Sequence, residues 1–103
     1  MKIVKVTYTT KAEYAAENRA NISAVMAALR QLNHPGIHYH VCTGADDHTF
    51  IHTAFFKSEE DQHVLFQLAE FKQFQDQLNA SVPVAAPRQE ILTFVGSSKE
   101  IFN

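Results

Sequence analysis

Two strand-like runs joined by a short polar turn lie in the middle of this chain, with a helical pattern on each side of them. This predicted hairpin, residues 36–57, carries four of the six histidines and the only cysteine. Side chains alternate across a strand with a period of two, so the first run has one apolar face and one polar face. The apolar face carries Ile37, Tyr39 and Val41, and the polar face carries His38, His40 and Cys42. Imidazoles and thiols bind metals, move protons or contact polar ligands, so the hairpin holds a candidate site.

The order of the elements predicts the fold. Residues 2–8 alternate as a strand, and a helical pattern follows to about Leu32, where His34-Pro35-Gly36 ends it. Ser58 begins a second helix, and residues 89–95 read as the last strand. The inner stripe of the second helix is Val64, Leu65, Leu68, Phe71 and Leu78. Strand, helix, strand, strand, helix, strand is the split βαβ, or ferredoxin-like, arrangement of the α+β class, with a four-stranded antiparallel sheet and helices on one face.

Length and charge limit the class of protein. The 103 residues match one domain, and we expect a single domain over 1–103. The net charge of −2 argues against nucleic acid as a partner, because phosphate binding requires a basic face. No apolar run approaches the roughly 20 residues that cross a bilayer, so no membrane partner is expected. With no secretory signal pattern and one cysteine, the chain is predicted to be cytoplasmic.

The face of the sheet away from the helices is bare in this arrangement, and the pattern gives it phenylalanines, histidines and the cysteine. A large exposed apolar patch indicates an interface. The simplest partner is a second copy of the chain, packed face to face with two-fold symmetry. The sequence therefore predicts a homodimer.

The chain resembles the dimeric α/β-barrel superfamily, which includes the antibiotic biosynthesis monooxygenases and the stress-responsive barrel proteins. The resemblance rests on the element order and on three segments, residues 32–37, 55–60 and 70–74. It implies a homodimeric barrel with a small-molecule pocket between sheet and helices. The activities it suggests are cofactor-independent oxidation of polycyclic phenols and quinols, haem degradation and isomerisation. The chain departs from the enzymatic pattern because it lacks Trp and has Glu70 where related sequences often have histidine, with His63 two turns earlier.

The register of the hairpin decides what the histidines do. If the loop is residues 45–47, Gly44 pairs with His48, and His40 lies opposite His52. Together with His38 or Cys42, these two imidazoles then approach a tetrahedral zinc site. A shift by one residue breaks the cluster. Three readings stay open: a metal site, a metal-free polar lining of a pocket or barrel, and structural or interface histidines.

The preferred prediction is a small-molecule-binding dimer that acts as a monooxygenase on an aromatic or quinol-like substrate, with neither a metal nor a cofactor. His40 or His52 is the predicted catalytic base, because imidazole titrates near neutral pH. A polar group on the apolar stripe of the first helix, Asn18, is predicted to orient a small apolar or aromatic ligand. The other predicted ligand contacts are His38, Cys42, Phe50, Phe66, Phe71 and Phe94. The alternative is a non-catalytic, stress-associated binding dimer.

Overall fold

The computed structural model describes residues 1–102 and has the predicted ferredoxin-like order. Its elements are β1 (Lys2–Thr9), a 3₁₀ turn (Ala12–Tyr14), α1 (Ala15–Leu32), β2 (Ile37–Thr43), β3 (Thr49–Phe56), α2 (Glu59–Gln67), α3 (Ala69–Ala80) and β4 (Ala85–Leu92). The four strands form one antiparallel sheet in the order β2-β3-β1-β4. The α+β prediction is therefore confirmed, with β1 and β3 at the centre of the sheet.

The second predicted helix is two helices, because the chain is extended at Leu68 (φ −66°, ψ 129°). Each helix then buries its own residues: Leu65 from α2, and Phe71, Phe74 and Leu78 from α3. The three residues of α3 are spaced by three and four, so they share one side of the helix. Within residues 1–102, none of the helices combines the length and the apolar character that crossing a bilayer requires.

The last strand begins and ends earlier than the predicted 89–95. β4 pairs with β1 from Ala85 onward, with a register irregularity between Thr7 and Thr9. It lies at the edge of the sheet and contains Pro87. Proline is tolerated there because an edge strand leaves one side of its backbone unpaired. The residues beyond Leu92, which include Phe94, lie outside the sheet.

The hairpin register differs by one residue from the one that would build a histidine cluster. His40 pairs with Thr53, and His52 pairs with Val41. The expected pairing of Gly44 with His48 is wrong, because Gly44 N donates to the Thr49 carbonyl at 2.9 Å. The side-chain period in a strand is two, so this single step moves His52 to the face opposite His40.

The two faces of the sheet therefore differ in composition. The helix face packs against α1, α2 and α3 and carries the core residues of the strands, which are Val4, Tyr8, Phe50, Ala54 and Phe56, together with the half-buried Val6 and Tyr39. His52 belongs to this face. No helix packs on the open face within residues 1–102, and this face carries the buried Ile3 of β1 together with His38, His40, Cys42, Ile51, Thr53 and Phe55 from the hairpin.

Candidate functional site

His52 lies on the helix face between two tyrosine hydroxyls. Its Nε2 is 2.7 Å from Tyr8 Oη, and its Nδ1 is 2.5 Å from Tyr39 Oη. Only 5% of His52 is exposed, whereas Tyr39 is half-buried. The three side chains come from the adjacent strands β1, β3 and β2, so backbone pairing across the sheet sets their spacing.

Asn18 extends this group from the sheet into α1. Its Nδ2 donates a hydrogen bond to Tyr8 Oη at 2.8 Å, and the residue is fully buried. Its Oδ1 is buried with no hydrogen-bond partner among residues 1–102. A buried amide is tolerated on an apolar helix stripe when it is hydrogen-bonded, and Tyr8 supplies that bond. The predicted stripe position of Asn18 thus brings it to the polar centre of the site.

Burial keeps the whole group neutral near pH 7. Desolvation lowers the pKa of His52 to about 4, so its imidazole is unprotonated. Desolvation also raises the pKa of Tyr8, although the hydrogen bond from Asn18 opposes this. Burial is likewise the main cause of the raised pKa of Tyr39. The site therefore consists of hydroxyls, an amide and a neutral imidazole.

A cavity of about 270 Å³, here called the His52 cavity, opens beside this group. Its lining residues are Val6, Tyr8, Tyr39, His52, Phe71, Phe74, Gln75, Leu78, Asn79 and Pro87. A smaller cavity of about 120 Å³ shares several of these residues, including Tyr39 and His52, and reaches Phe66 and Gln89. Of the described residues that line either cavity, none is Asp, Glu, Lys or Arg. The space is apolar with a few neutral polar groups, which is typical of sites for uncharged small molecules.

Several residues predicted for the site lie at or near the His52 cavity. His52 and Phe71 line it, and Asn18 bonds to Tyr8. Phe66 stacks on Phe71 with ring centroids 5.7 Å apart and lines the smaller cavity. Phe50 is buried and stacks on the ring of Tyr8 at 5.5 Å, so it supports the site from the core. The roles predicted for these residues remain predictions.

The other predicted residues lie elsewhere. His38, His40 and Cys42 are exposed on the open face, where both imidazoles pack against Phe55. Phe94 lies in the C-terminal segment and lines a surface groove with Met1 and Lys57. The register that places His40 opposite His52 is therefore wrong, and the two imidazoles do not share a site. Among residues 1–102, no group of three or more His, Cys, Asp or Glu side chains could hold a metal ion.

Tyr8 and Tyr39 were not predicted as site residues, although the sequence contains a signal for both. Each lies two residues from an apolar residue along its strand, and therefore on the same core-facing side. A tyrosine at such a position must find a partner for its hydroxyl when it is buried. His52 is the only imidazole on the helix face of the hairpin strands, and it serves both tyrosines. Gln75 and Asn79, one helical turn apart on α3, have no comparable signal.

Comparison with known proteins supports the fold. No protein-family profile and no curated protein sequence matches the chain. Among solved structures, a candidate antibiotic biosynthesis monooxygenase from Nitrosomonas europaea superposes with a TM-score of 0.78 at 14% identity, covering 93% of this chain and 100% of that one. A second candidate from Deinococcus radiodurans gives 0.73 at 22% identity, with both chains covered completely.

A variant of SnoaB, a cofactor-independent oxygenase from Streptomyces nogalater, superposes with a TM-score of 0.67 at 15% identity and 96% coverage of each chain. Identities at this level report the fold alone. The chain therefore has the ferredoxin-like fold of the antibiotic biosynthesis monooxygenase proteins, as its sequence resemblance implies.

Proposed function

We propose that this protein binds an uncharged aromatic molecule of the phenol or quinol type in the His52 cavity and oxidises it with dioxygen, without a cofactor. One observation carries the proposal: a buried neutral imidazole bonds to two tyrosine hydroxyls on the wall of an apolar cavity. The fold shared with a cofactor-independent oxygenase adds support. The proposal keeps His52 in the site but not in its predicted role of base, because both of its ring nitrogens bond to tyrosine hydroxyls, and it leaves out His40.

The cavity lining favours a flat, neutral ligand. Phe71, Phe74 and Leu78 form an apolar wall from α3, and aromatic side chains bind aromatic rings by stacking or edge contacts. A charged ligand would need a compensating charge in so apolar a space. The volume of about 270 Å³ lies just below the usual range for ligand sites, which begins at about 300 Å³, and this limits the ligand to a few rings.

The chemistry needs only the substrate and dioxygen. Anthrone is the keto form of a phenol, 9-anthrol, and loss of one proton from its acidic CH₂ group to water leaves the electron-rich anion that the two forms share, an enolate. The enolate reduces dioxygen, and a new C–O bond gives a hydroperoxide after protonation. Loss of water from the resulting CH–OOH group breaks its remaining C–H bond and the O–O bond and leaves C=O, so one oxygen atom enters the product and the other leaves in water. The polar group around His52 stabilises the enolate oxygen.

Anthrone is the test substrate. We expect the protein to accelerate oxygen uptake and anthraquinone formation above the spontaneous rate, with one atom of ¹⁸O₂ entering the new carbonyl. His52→Leu should reduce the rate by up to about 100-fold, the effect of losing an oxyanion contact, because it removes the imidazole that holds the Tyr8 and Tyr39 hydroxyls in place. His40→Leu, the matched change on the open face, should leave the rate unchanged.

Two outcomes would contradict parts of this proposal. If anthrone binds but oxygen uptake stays at the spontaneous rate, the chain is a binding protein without this catalysis. If His52→Leu retains the wild-type rate, the reaction does not depend on the polar group around His52.

The proposal includes a homodimer formed through the open face. Phe55, Ile51 and the aromatic rings of His38 and His40 give this face an apolar centre that no helix covers within residues 1–102. Leu92 of β4, which pairs with Ile3 at this edge of the sheet, and Phe94 and Val95 after it are further exposed apolar side chains. Exposed apolar side chains that lie together in this way are typical of an interface, whereas single scattered ones are normal on a protein surface.

A further inference from the structure

Both ring nitrogens of His52 already bond to tyrosine hydroxyls, so a ligand in the cavity reaches the imidazole only through one of them. Tyr8 is buried, with 2% of its surface exposed, and its hydroxyl bonds to Asn18 as well as to His52. Tyr39 is half-buried and lines both the His52 cavity and the smaller cavity. Which of these hydroxyls can donate to a ligand depends on the direction in which hydrogens are donated along the chain of bonds.

The direction of hydrogen-bond donation is set at Asn18, because its amide nitrogen donates to Tyr8 Oη. The hydrogen of the Tyr8 hydroxyl then needs its own acceptor. Among residues 1–102, the other hydrogen-bond partner of this hydroxyl is Nε2 of His52, at 2.7 Å. Tyr8 therefore donates to Nε2, because the opposite arrangement would leave a buried hydroxyl hydrogen without an acceptor.

The imidazole passes this direction on to Tyr39. A neutral imidazole carries one hydrogen, and an Nε2 that accepts from Tyr8 leaves that hydrogen on Nδ1. Nδ1–H then donates to Tyr39 Oη at 2.5 Å. Within residues 1–102, the Tyr39 hydroxyl has no other hydrogen-bond partner, so its hydrogen is free for a ligand.

We propose that the Tyr39 hydroxyl is the group that contacts the ligand, as a hydrogen-bond donor to a ligand oxygen that carries negative charge, such as a phenolate or enolate oxygen. Asn18, Tyr8 and His52 act through Tyr39 and are positioning residues, since they fix the direction of donation. This inference rests on the proposed function, because it takes the His52 cavity as the ligand site. It does not depend on a reaction with dioxygen.

The pKa of 2-naphthol bound to the protein tests the inference, because naphthol and naphtholate differ in absorbance. A hydrogen bond donated to the anion favours the charged form and lowers the pKa of the bound naphthol. We expect Tyr39→Phe to raise this pKa by about one to two units, the effect of losing a hydrogen bond to a charged acceptor. Binding of naphthalene, which has no oxygen, should be unchanged in the variant.

A matched control and two positioning variants sharpen the test. Tyr14→Phe removes a hydroxyl that lines neither cavity and should leave the pKa of bound naphthol unchanged. Tyr8→Phe and Asn18→Leu should each raise this pKa by less than Tyr39→Phe does. They remove the groups that fix the direction of hydrogen-bond donation, but they leave the Tyr39 hydroxyl in place. Long-range ¹H–¹⁵N NMR of the wild-type protein should find the His52 hydrogen on Nδ1.

The sign of the shift decides the question. If Tyr39→Phe lowers the pKa of bound naphthol, Tyr39 accepts a hydrogen bond from the neutral ligand, and the hydrogen bonds between Asn18 and Tyr39 are donated in the opposite direction. An unchanged pKa would remove Tyr39 as the contact. If the wild-type protein binds no naphthol, this inference and the proposed function fail together. If naphthol binds with the expected shift but anthrone is not oxidised, only the oxidation is wrong.

Discussion

The two faces of the sheet contain the same kind of side chain in opposite surroundings. On the helix face, His52 is buried between two tyrosines beside a cavity. On the open face, His38 and His40 are exposed and pack against one phenylalanine, Phe55. The histidines of the two hairpin strands thus divide into one imidazole that is buried in a polar group beside a cavity and two that lie exposed on the proposed dimer interface. Surroundings, and not residue type, separate a candidate reactive group from a candidate interface.

The largest expected effect concerns the open face. Phe55→Glu places a charge at the centre of the proposed dimer interface, where two-fold symmetry brings it close to its copy. Like charges that face each other across an interface cost several kcal/mol, so we expect the dimer to weaken by at least about 100-fold. Sedimentation velocity over a range of protein concentrations measures this change.

Gln73→Glu adds the same charge at an exposed position of α3 and should leave the dimer intact. Circular dichroism establishes that the Phe55→Glu chain remains folded. A wild-type protein that sediments as a monomer, or a Phe55→Glu variant that remains dimeric, would show that the open face is not the interface.

The second effect is the response of the helix face to acid. Burial lowers the pKa of His52 from 6.5 to about 4, so the unfolded chain binds this proton more tightly than the folded chain. The contribution of neutral His52 to the free energy of unfolding is therefore fully present above about pH 6.5, and it is lost as the pH falls toward 4. The loss assigned to His52 amounts to about 3 kcal/mol at pH 4.

Urea unfolding between pH 4 and 7.5, at constant protein concentration, measures this loss. His52→Gln should be less stable than the wild type at pH 7.5 and should lose about 3 kcal/mol less on acidification. Equal pH slopes for His52→Gln and the wild type would mean that His52 is not held neutral by burial.

The third effect is the contribution of the Tyr8 hydroxyl to stability. Tyr8→Phe leaves Nε2 of His52 and the amide nitrogen of Asn18 buried without their partner. Leaving buried polar groups unpaired should cost about 2 kcal/mol. Tyr14→Phe, whose hydroxyl is within 3.5 Å of Asn21 at a half-buried position, should change stability by less than about 0.5 kcal/mol. Similar values for the two variants in urea unfolding would mean that the hydroxyl network contributes no stability.

The alternation of side chains was sufficient to predict the order of the elements, but it did not decide the register of the hairpin. Each strand has two sets of alternate residues, and a one-residue change in the loop exchanges the faces of β3. The larger apolar set of β3, which contains Phe50, Ala54 and Phe56, matches the apolar side of β2. Weighting the sets by apolar size would have placed His52 on the helix face.

Other parts of the site depend on contacts that no local pattern specifies. Asn18 meets Tyr8 only because α1 packs across the sheet at one particular rotation. The break at Leu68, where the backbone is extended, divides the predicted second helix into α2 and α3. These features follow from tertiary packing, which overrides local preference.

The smallest expected effect tests what fixes the register. Asp46 Oδ1 accepts from His48 N at 3.0 Å and from Thr49 N at 2.8 Å, and its Oδ2 accepts from Thr49 Oγ1 at 2.6 Å. The hydrogen bonds from Thr49 are the main reason that the pKa of Asp46 is lowered to about 2. The next residue, Asp47, has a left-handed backbone (φ 65°) that aspartate tolerates in turns.

Asp46→Ala removes these bonds at an exposed turn, whereas Asp46→Asn keeps an acceptor for the two backbone groups. We expect Asp46→Ala to lower the unfolding midpoint slightly and to speed amide exchange at His48 and Thr49, with Asp46→Asn closer to the wild type. Cross-strand NMR contacts should still join Val41 to His52, because a shifted register would expose Phe50 and Phe56 to solvent. If contacts between His40 and His52 appear in Asp46→Ala, the turn fixes the register, and the division between the two faces depends on one carboxylate. If they do not, the apolar core of the helix face fixes it, and the buried position of His52 follows from the packing of its neighbours.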